Sequence, residues 1–125
     1  MVCQKRGRLP KLNDTMKLPN GLRAVVDVVK LTEYCLSPYH PRGKHKARVF
    51  QSACGFSTVT AEEMRQQLLS IAADGEAVPV GPSVHGDRYV IECILTGPSG
   101  AARVRTAWIV RPGEDFPRFV SAFVI

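Results

Sequence analysis

The spacing of apolar residues changes character once along the chain. Between residues 27 and 75 they recur at intervals of three and four, the repeat of a helix with one buried face. Beyond it they alternate or gather in short β-branched and aromatic runs, the repeat of a strand. Residues 22–26 read as a short strand or extended entry after the Pro19-Asn20-Gly21 turn. Asp27 can cap a helix over residues 27–36, with Val28, Leu31 and Cys35 on one side, and Ser37-Pro38 stops it. A second helix starts near Gly43 or Lys44 and ends at Gly55, with Ala47, Val49, Phe50, Ala53 and Cys54 on its apolar arc. Thr60-Ala61-Glu62-Glu63 has the form of a capping box opening a third helix, with Ala61, Met64, Leu68 and Ile71 as its stripe and Gly75 at its end.

Strand patterns follow at residues 77–80, 88–96, 102–111 and 118–125, separated by Gly81-Pro82, His85-Gly86-Asp87, Gly97-Pro98-Ser99-Gly100 and Pro112-Gly113. The expected fold is α+β, with about three N-terminal helices packed on one face of a three- to four-stranded antiparallel sheet. Residues 1–19 lack periodicity and read as a basic flexible arm, leaving 20–125 as a single domain.

Charge refines this outline. The 125 residues carry a net +6. Residues 1–50 hold 11 Lys/Arg against 3 Asp/Glu, whereas the remainder is slightly acidic. A basic half beside a near-neutral one gives a directed field suited to phosphate backbones or to an acidic protein partner. No apolar run approaches a membrane span and no secretory signal opens the chain, so action in a cytosol is expected. Four widely spaced cysteines read as reduced thiols, and neither they nor the three histidines have zinc-ligand spacing; no metal or other cofactor is expected.

The densest basic stretch, HPRGKHKARVF at residues 40–50, runs into the second helix. Lys44, His45 and Arg48 lie on its solvated arc. Lys46 points toward the apolar arc, and so either snorkels to water or reaches into a cleft between helix and sheet. In the strand at 102–111, Val104, Thr106, Trp108 and Val110 share the more apolar face, while Arg103 and Arg105 share the opposite, open one. Arg118 opens the next strand, so the three guanidiniums form a candidate phosphate platform or a solvated surface.

The sequence contains no nucleophile elbow, Walker-type loop or HExxH zinc motif. An inventory of His, Lys, Arg and hydroxyls suits metal-independent RNA cleavage. There the RNA's own 2′-hydroxyl is the nucleophile, and the protein supplies a base, an acid and positive charge. His40 is the candidate acid or base, Lys46, Arg105 and Arg118 hold the phosphate, and Thr106 donates or orients. Lys44, His45, Arg48, Arg103 and Ser121 are candidate substrate-binding residues. Alternation puts Arg105 and Thr106 on opposite faces, so a shared role for both needs a twist or bulge.

The runs KLTEYCLSPYHPRGKHKARVFQSACGF and GDRYVIECILTGPSGAARVRTAWIVRPGEDFPRFV resemble an uncharacterised bacterial domain family seen near small candidate antitoxins and at the ends of polymorphic toxins. The order of helices and sheet, with a helix lysine and a charged T-x-W strand, is similar to the barnase–EndoU–colicin–RelE class of small ribonucleases. The resemblance implies roles for His40, Gly43, Lys46, Arg105, Thr106, Trp108 and Arg118, with Gly43 and Trp108 structural. It also implies a small acidic antitoxin or immunity protein as partner, beside RNA as substrate. Where the last strand of the family offers Thr and Tyr, this chain has Ser121 and Phe123. The functional expectation is a toxin-like endoribonuclease. A non-catalytic nucleic-acid- or protein-binding module, or an inactive relative kept for partner binding, is the alternative.

Overall fold

A computed structural model describes residues 16–32, 36, 39 and 44–125. The helices are α1 (Val28–Lys30), α2 (Lys44–Cys54) and α3 (Ala61–Asp74). The strands are β1 (Ala77–Ser83), β2 (Gly86–Gly97), β3 (Gly100–Val110) and β4 (Arg118–Val124), which form one antiparallel meander in sequence order. The fold is therefore mixed α+β, with four strands and three helices among the described residues. The helices occupy the middle of the chain and not its start. Among the described residues, 16–26 precede the helices and are tied to both edges of the sheet.

Those ties are backbone hydrogen bonds. Met16 exchanges two with Ala77 on β1, at 2.8 and 2.6 Å. Val25 donates to the Pro117 carbonyl and accepts from Phe119 N–H, both at 2.9 Å, making one parallel bridge beside β4. Between them Asn20 takes a left-handed conformation and residues Gly21–Arg23 form a 3-10 turn, where the residue pattern suggests a strand. Leu18 and Val26 are buried, so this segment contributes to the core.

Asp27 caps α1 as expected, its Oδ1 accepting from Val29 N–H at 2.9 Å. The chain widens at Leu31, whose carbonyl accepts from Leu36 N–H at 2.7 Å. α2 buries Ala47, Phe50 and Cys54, whereas Val49, placed on the apolar arc by its angle, is exposed. Gly55 ends the helix at φ +80°, with its N–H donating to Gln51 and Phe50 carbonyls.

The cap of α3 sits one turn earlier than the Thr60–Glu63 pattern suggests. Ser57 Oγ accepts from Val59 N–H at 3.3 Å, and Thr60 Oγ1 accepts from Ser57 N–H at 2.9 Å. A 3-10 turn at Thr58–Thr60 runs directly into α3, so no free helix end remains at Thr60 for Glu63 to close. The buried stripe is Ala61, Met64, Leu68 and Ala72. At the other end Gly75 is extended and not left-handed.

The two long helices, the N-terminal segment and one sheet face share a single core. Phe50, Phe56, Met64 and Leu68 meet Ile91, Leu95, Val104 and Trp108 there. Burying each such side chain contributes roughly 1.5–3 kcal/mol relative to exposure. Trp108 stands edge-on to Phe119, with centroids 5.5 Å apart. The strand β2 outruns β1 beyond Ile91, and a side chain replaces the missing neighbour. Gln67 of α3 donates to Thr96 carbonyl at 2.7 Å and accepts from Thr96 N–H at 2.9 Å.

The C-terminal end of α2 is fastened to the β2–β3 hairpin, where Ser99 N–H donates to the Cys54 carbonyl at 2.9 Å. Gly97 allows that approach, since a Cβ there would collide with the same carbonyl oxygen. Among the described residues, no helix is long and apolar enough to cross a membrane.

Candidate functional site

The turn at Pro98–Ser99 sets Gly97 opposite Gly100 and so fixes every pair further along β2 and β3. Counting outward, Ile91 meets Thr106 on the inner face and Glu92 meets Arg105 on the outer face. The next register adds Phe123 of β4 opposite Arg105. The outer face therefore carries a row Glu92–Arg105–Phe123, with Arg103 two residues along β3. The chain brings an acid, two guanidiniums and an aromatic ring together by backbone register alone.

Glu92 is the hub. Its Oε2 accepts from Arg105 Nε at 3.0 Å and from a terminal guanidinium nitrogen of Arg105 at 2.6 Å. Its Oε1 accepts from Arg103 at 3.2 Å. The hydrogen bonds from Arg105 hold the Glu92 carboxyl below the usual carboxylate range; partial desolvation opposes this, and the charges of Arg105 and Arg103 reinforce it. The Phe123 ring joins this row to α2. Lys46 Nζ lies 5.6 Å from the ring centroid and Arg105 Cζ lies 5.7 Å from it. Of the two courses open to Lys46, the structure shows a half-buried side chain whose head meets an aromatic ring at the edge strand.

Ser121 is half-buried on the same face, opposite Ala107 and two residues from Phe123. Arg103, Arg105 and Ser121 thus share the outer face, and Lys46 reaches it at the Phe123 ring. Glu92 and Phe123 complete the group. The signal for Glu92 lay in the register, and that for Phe123 in its place opposite Arg105.

Other candidates stand elsewhere. Thr106 is fully buried on the inner face. Its Oγ1 donates to the Ile91 carbonyl at 2.9 Å and accepts from Trp108 Nε1 at 2.8 Å. The bulge in this part of the sheet falls between Ala107 and Trp108 and opens in β4 at Val120, so β3 keeps its alternation and Thr106 is not turned outward. Arg118 lies at the opposite end of the open face, opposite Ile109. Four residues at about 3.3 Å each put its row about 13 Å from Arg105. It forms a fork with Glu114, both contacts at 2.9 Å, and its guanidinium lies 5.1 Å from the Phe116 ring. That pairing pushes the Arg118 pKa up and pulls the Glu114 carboxyl down.

His45 and Arg48 are exposed on α2, and Arg48 borders a cleft of about 290 Å³ with Gln51, Phe56 and Ser57. Lys44 opens α2, while His40 and Gly43 lie outside the described residues. Cys54 is buried and Cys93 half-buried, both as free thiols, and burial pushes Cys93 up to about 11. Cys3 and Cys35 lie outside the described residues. Among the described residues, no three His, Cys, Asp or Glu side chains come together as a metal-ligand set.

The outer-face group has definite chemical capacities. A carboxylate kept ionised can accept a proton from a hydroxyl. Guanidiniums on either side of it can neutralise charge that grows on phosphate oxygens. A family model described as a domain of unknown function, DUF6883, matches residues 17–125. No curated protein matches the chain.

Proposed function

The chain belongs to the DUF6883 family, a domain of unknown function, and we propose that it is a toxin-like endoribonuclease that cuts RNA without a metal. One observation carries this reading: Glu92 held between Arg103 and Arg105 on the open sheet face, with Lys46 meeting Arg105 across Phe123. In the proposed reaction the RNA 2′-oxygen attacks the adjacent phosphorus and its proton passes to Glu92. The bond from phosphorus to the 5′-oxygen breaks, and that oxygen leaves with a proton. The products are a 2′,3′-cyclic phosphate and a 5′-hydroxyl.

Arg103, Arg105 and Lys46 offset the charge that accumulates on the phosphorane oxygens. His40 is the proposed acid for the departing oxygen, and Ser121 borders the bound strand. Thr106 takes no part in the proposed chemistry; it holds Trp108 and Ile91 in the core on the other face of the strand. RNA is the substrate, and a small acidic antitoxin or immunity protein is the fitting partner for the arginine-bearing face. The cytosol is the compartment that offers both.

The test is incubation of purified protein with total RNA in the presence of a chelator. Discrete fragments ending in cyclic phosphate are expected, and Glu92→Gln and Lys46→Ala should abolish them. RNA left intact by folded wild-type protein overturns the enzyme reading. A non-catalytic nucleic-acid-binding module is the second reading. The observation in its favour is that Glu92 already accepts from both arginines, leaving less charge unspent for catalysis.

A further inference from the structure

The open face has a second cationic end, away from Glu92. Arg88, Ile109 and Arg118 form one row across β2, β3 and β4. Arg88 is exposed and makes no ion pair among the described residues. Beside this row, where residues 25–30 flank the sheet, lies a cavity of about 90 Å³ lined by Lys30, Arg111, Arg118, Asp27 and Ile109. Two of the acids here are engaged: Glu114 accepts the Arg118 fork, and Asp27 accepts from Val29 N–H. Asp87, paired in register with Val110, borders Arg111 from the hairpin side. Lys30 and Arg111, like Arg88, form no ion pair among the described residues.

The floor between the two ends is the row Val90–Ala107–Ser121, which includes two small side chains. Cations therefore stand at both ends of a low strip, their rows about 13 Å apart along β3. One phosphate cannot touch both, and a strand with several phosphates can. Resting on the ribonuclease reading, we propose that the substrate is single-stranded RNA lying along this strip. One phosphate sits at Lys46, Arg103 and Arg105, and another at a separate subsite formed by Arg88, Lys30, Arg111 and Arg118. The subsite binds the strand away from the cut and selects for length.

The test uses 2′-O-methyl RNA, which cannot be cut through its 2′-oxygen, so binding is read without turnover. A fluorescent octamer and a dinucleotide with a single phosphate are titrated against wild type and the double variant Arg88→Ala/Arg111→Ala. The octamer should bind wild type at least about tenfold more tightly than the dinucleotide. The double variant should lose most of that advantage, bringing octamer affinity close to that of the dinucleotide. Its salt dependence should flatten by about 0.7 in log–log slope for each phosphate that is no longer neutralised.

Lys30→Ala, on the other side of the cavity and outside the sheet, should reduce octamer binding in the same direction. Equal binding of octamer and dinucleotide by wild type overturns the proposal. So does an octamer affinity untouched in folded double and Lys30 variants, or tighter binding of an octamer duplex than of the single strand. Length-selective binding that disappears in the variants, with unmethylated RNA left uncut, would keep the subsite and remove the nuclease reading.

Discussion

The two faces of strand β3 are built from neighbouring residues and do opposite work. Val104, Thr106 and Trp108 are fully buried, and their two polar groups, the Thr106 hydroxyl and the Trp108 indole N–H, have their hydrogen bonds made inside the protein. Arg103 and Arg105, one position away, remain substantially exposed and engage a carboxylate that is itself open to solvent. On the inner face a polar atom is tolerated only when fully satisfied, because an unmet hydrogen bond there costs about 1–3 kcal/mol. On the outer face water is the alternative partner, so the ion pairs can be exchanged for a ligand at modest cost. Alternation at single-residue resolution thus separates what holds the fold from what is available for chemistry.

That separation breaks most visibly at Trp108. Trp108→Ala should destabilise the protein by about 3–5 kcal/mol, seen in denaturant unfolding, through reduced burial and the cavity left beside Phe119. On the outer face, Glu92→Gln should reduce RNA cleavage by roughly 10²–10⁴-fold and leave the thermal midpoint near the parent's. A large loss of stability instead would make Glu92 a structural residue. Thr106→Val sharpens the contrast from within. It keeps the shape but orphans Trp108 Nε1, so a cost of about 1–3 kcal/mol is expected in unfolding experiments, with cleavage by the folded protein little changed.

The smallest effect is in pH. The Glu92 pKa is lowered on folding, so its stabilising contribution is complete above the ordinary carboxylate range. It is lost as pH falls through the lower, folded value. Acid melts of wild type should therefore show a component, below the ordinary range, that Glu92→Gln lacks.

Much of this arrangement can be read from residue order. The β2–β3 hairpin, the alternation of β3, the α3 stripe and the stop at Gly55 all follow from local periodicity and turn chemistry. Those signals depend on neighbours in sequence. The features that do not follow depend on distant partners. Met16 and Val25 bond to opposite edges of the sheet, and although residues 22–26 read as extended, nothing local says which edge either residue will meet. The cap at Ser57 replaces the one at Thr60 because a 3-10 turn precedes the helix.

Val49 is left exposed because its direction on the helix meets no facing surface. The site divides in the same way. Arg103 and Arg105 declare their face by alternation, and Glu92 is reached by counting from the Pro98–Ser99 turn. The meeting of Lys46 with Phe123 depends on how a helix lies against an edge strand, which no local pattern encodes.

The fastening of Cys54 to Ser99 makes α2 and β3 two rulers that start from a common zero. From Cys54 back to Lys46 the helix measures about 12 Å, eight residues at about 1.5 Å each. From Gly100 to Arg105 the strand measures about 16 Å, five residues at about 3.3 Å. The two cations come to the same ring because those lengths and the angle between the rulers agree. One residue added within α2 would swing Lys46 about 100° around the helix axis and carry it off the ring. The same residue added before Lys44 would leave the measurement intact. Spacing inside that helix is therefore as much a determinant of the site as the identity of its lysine.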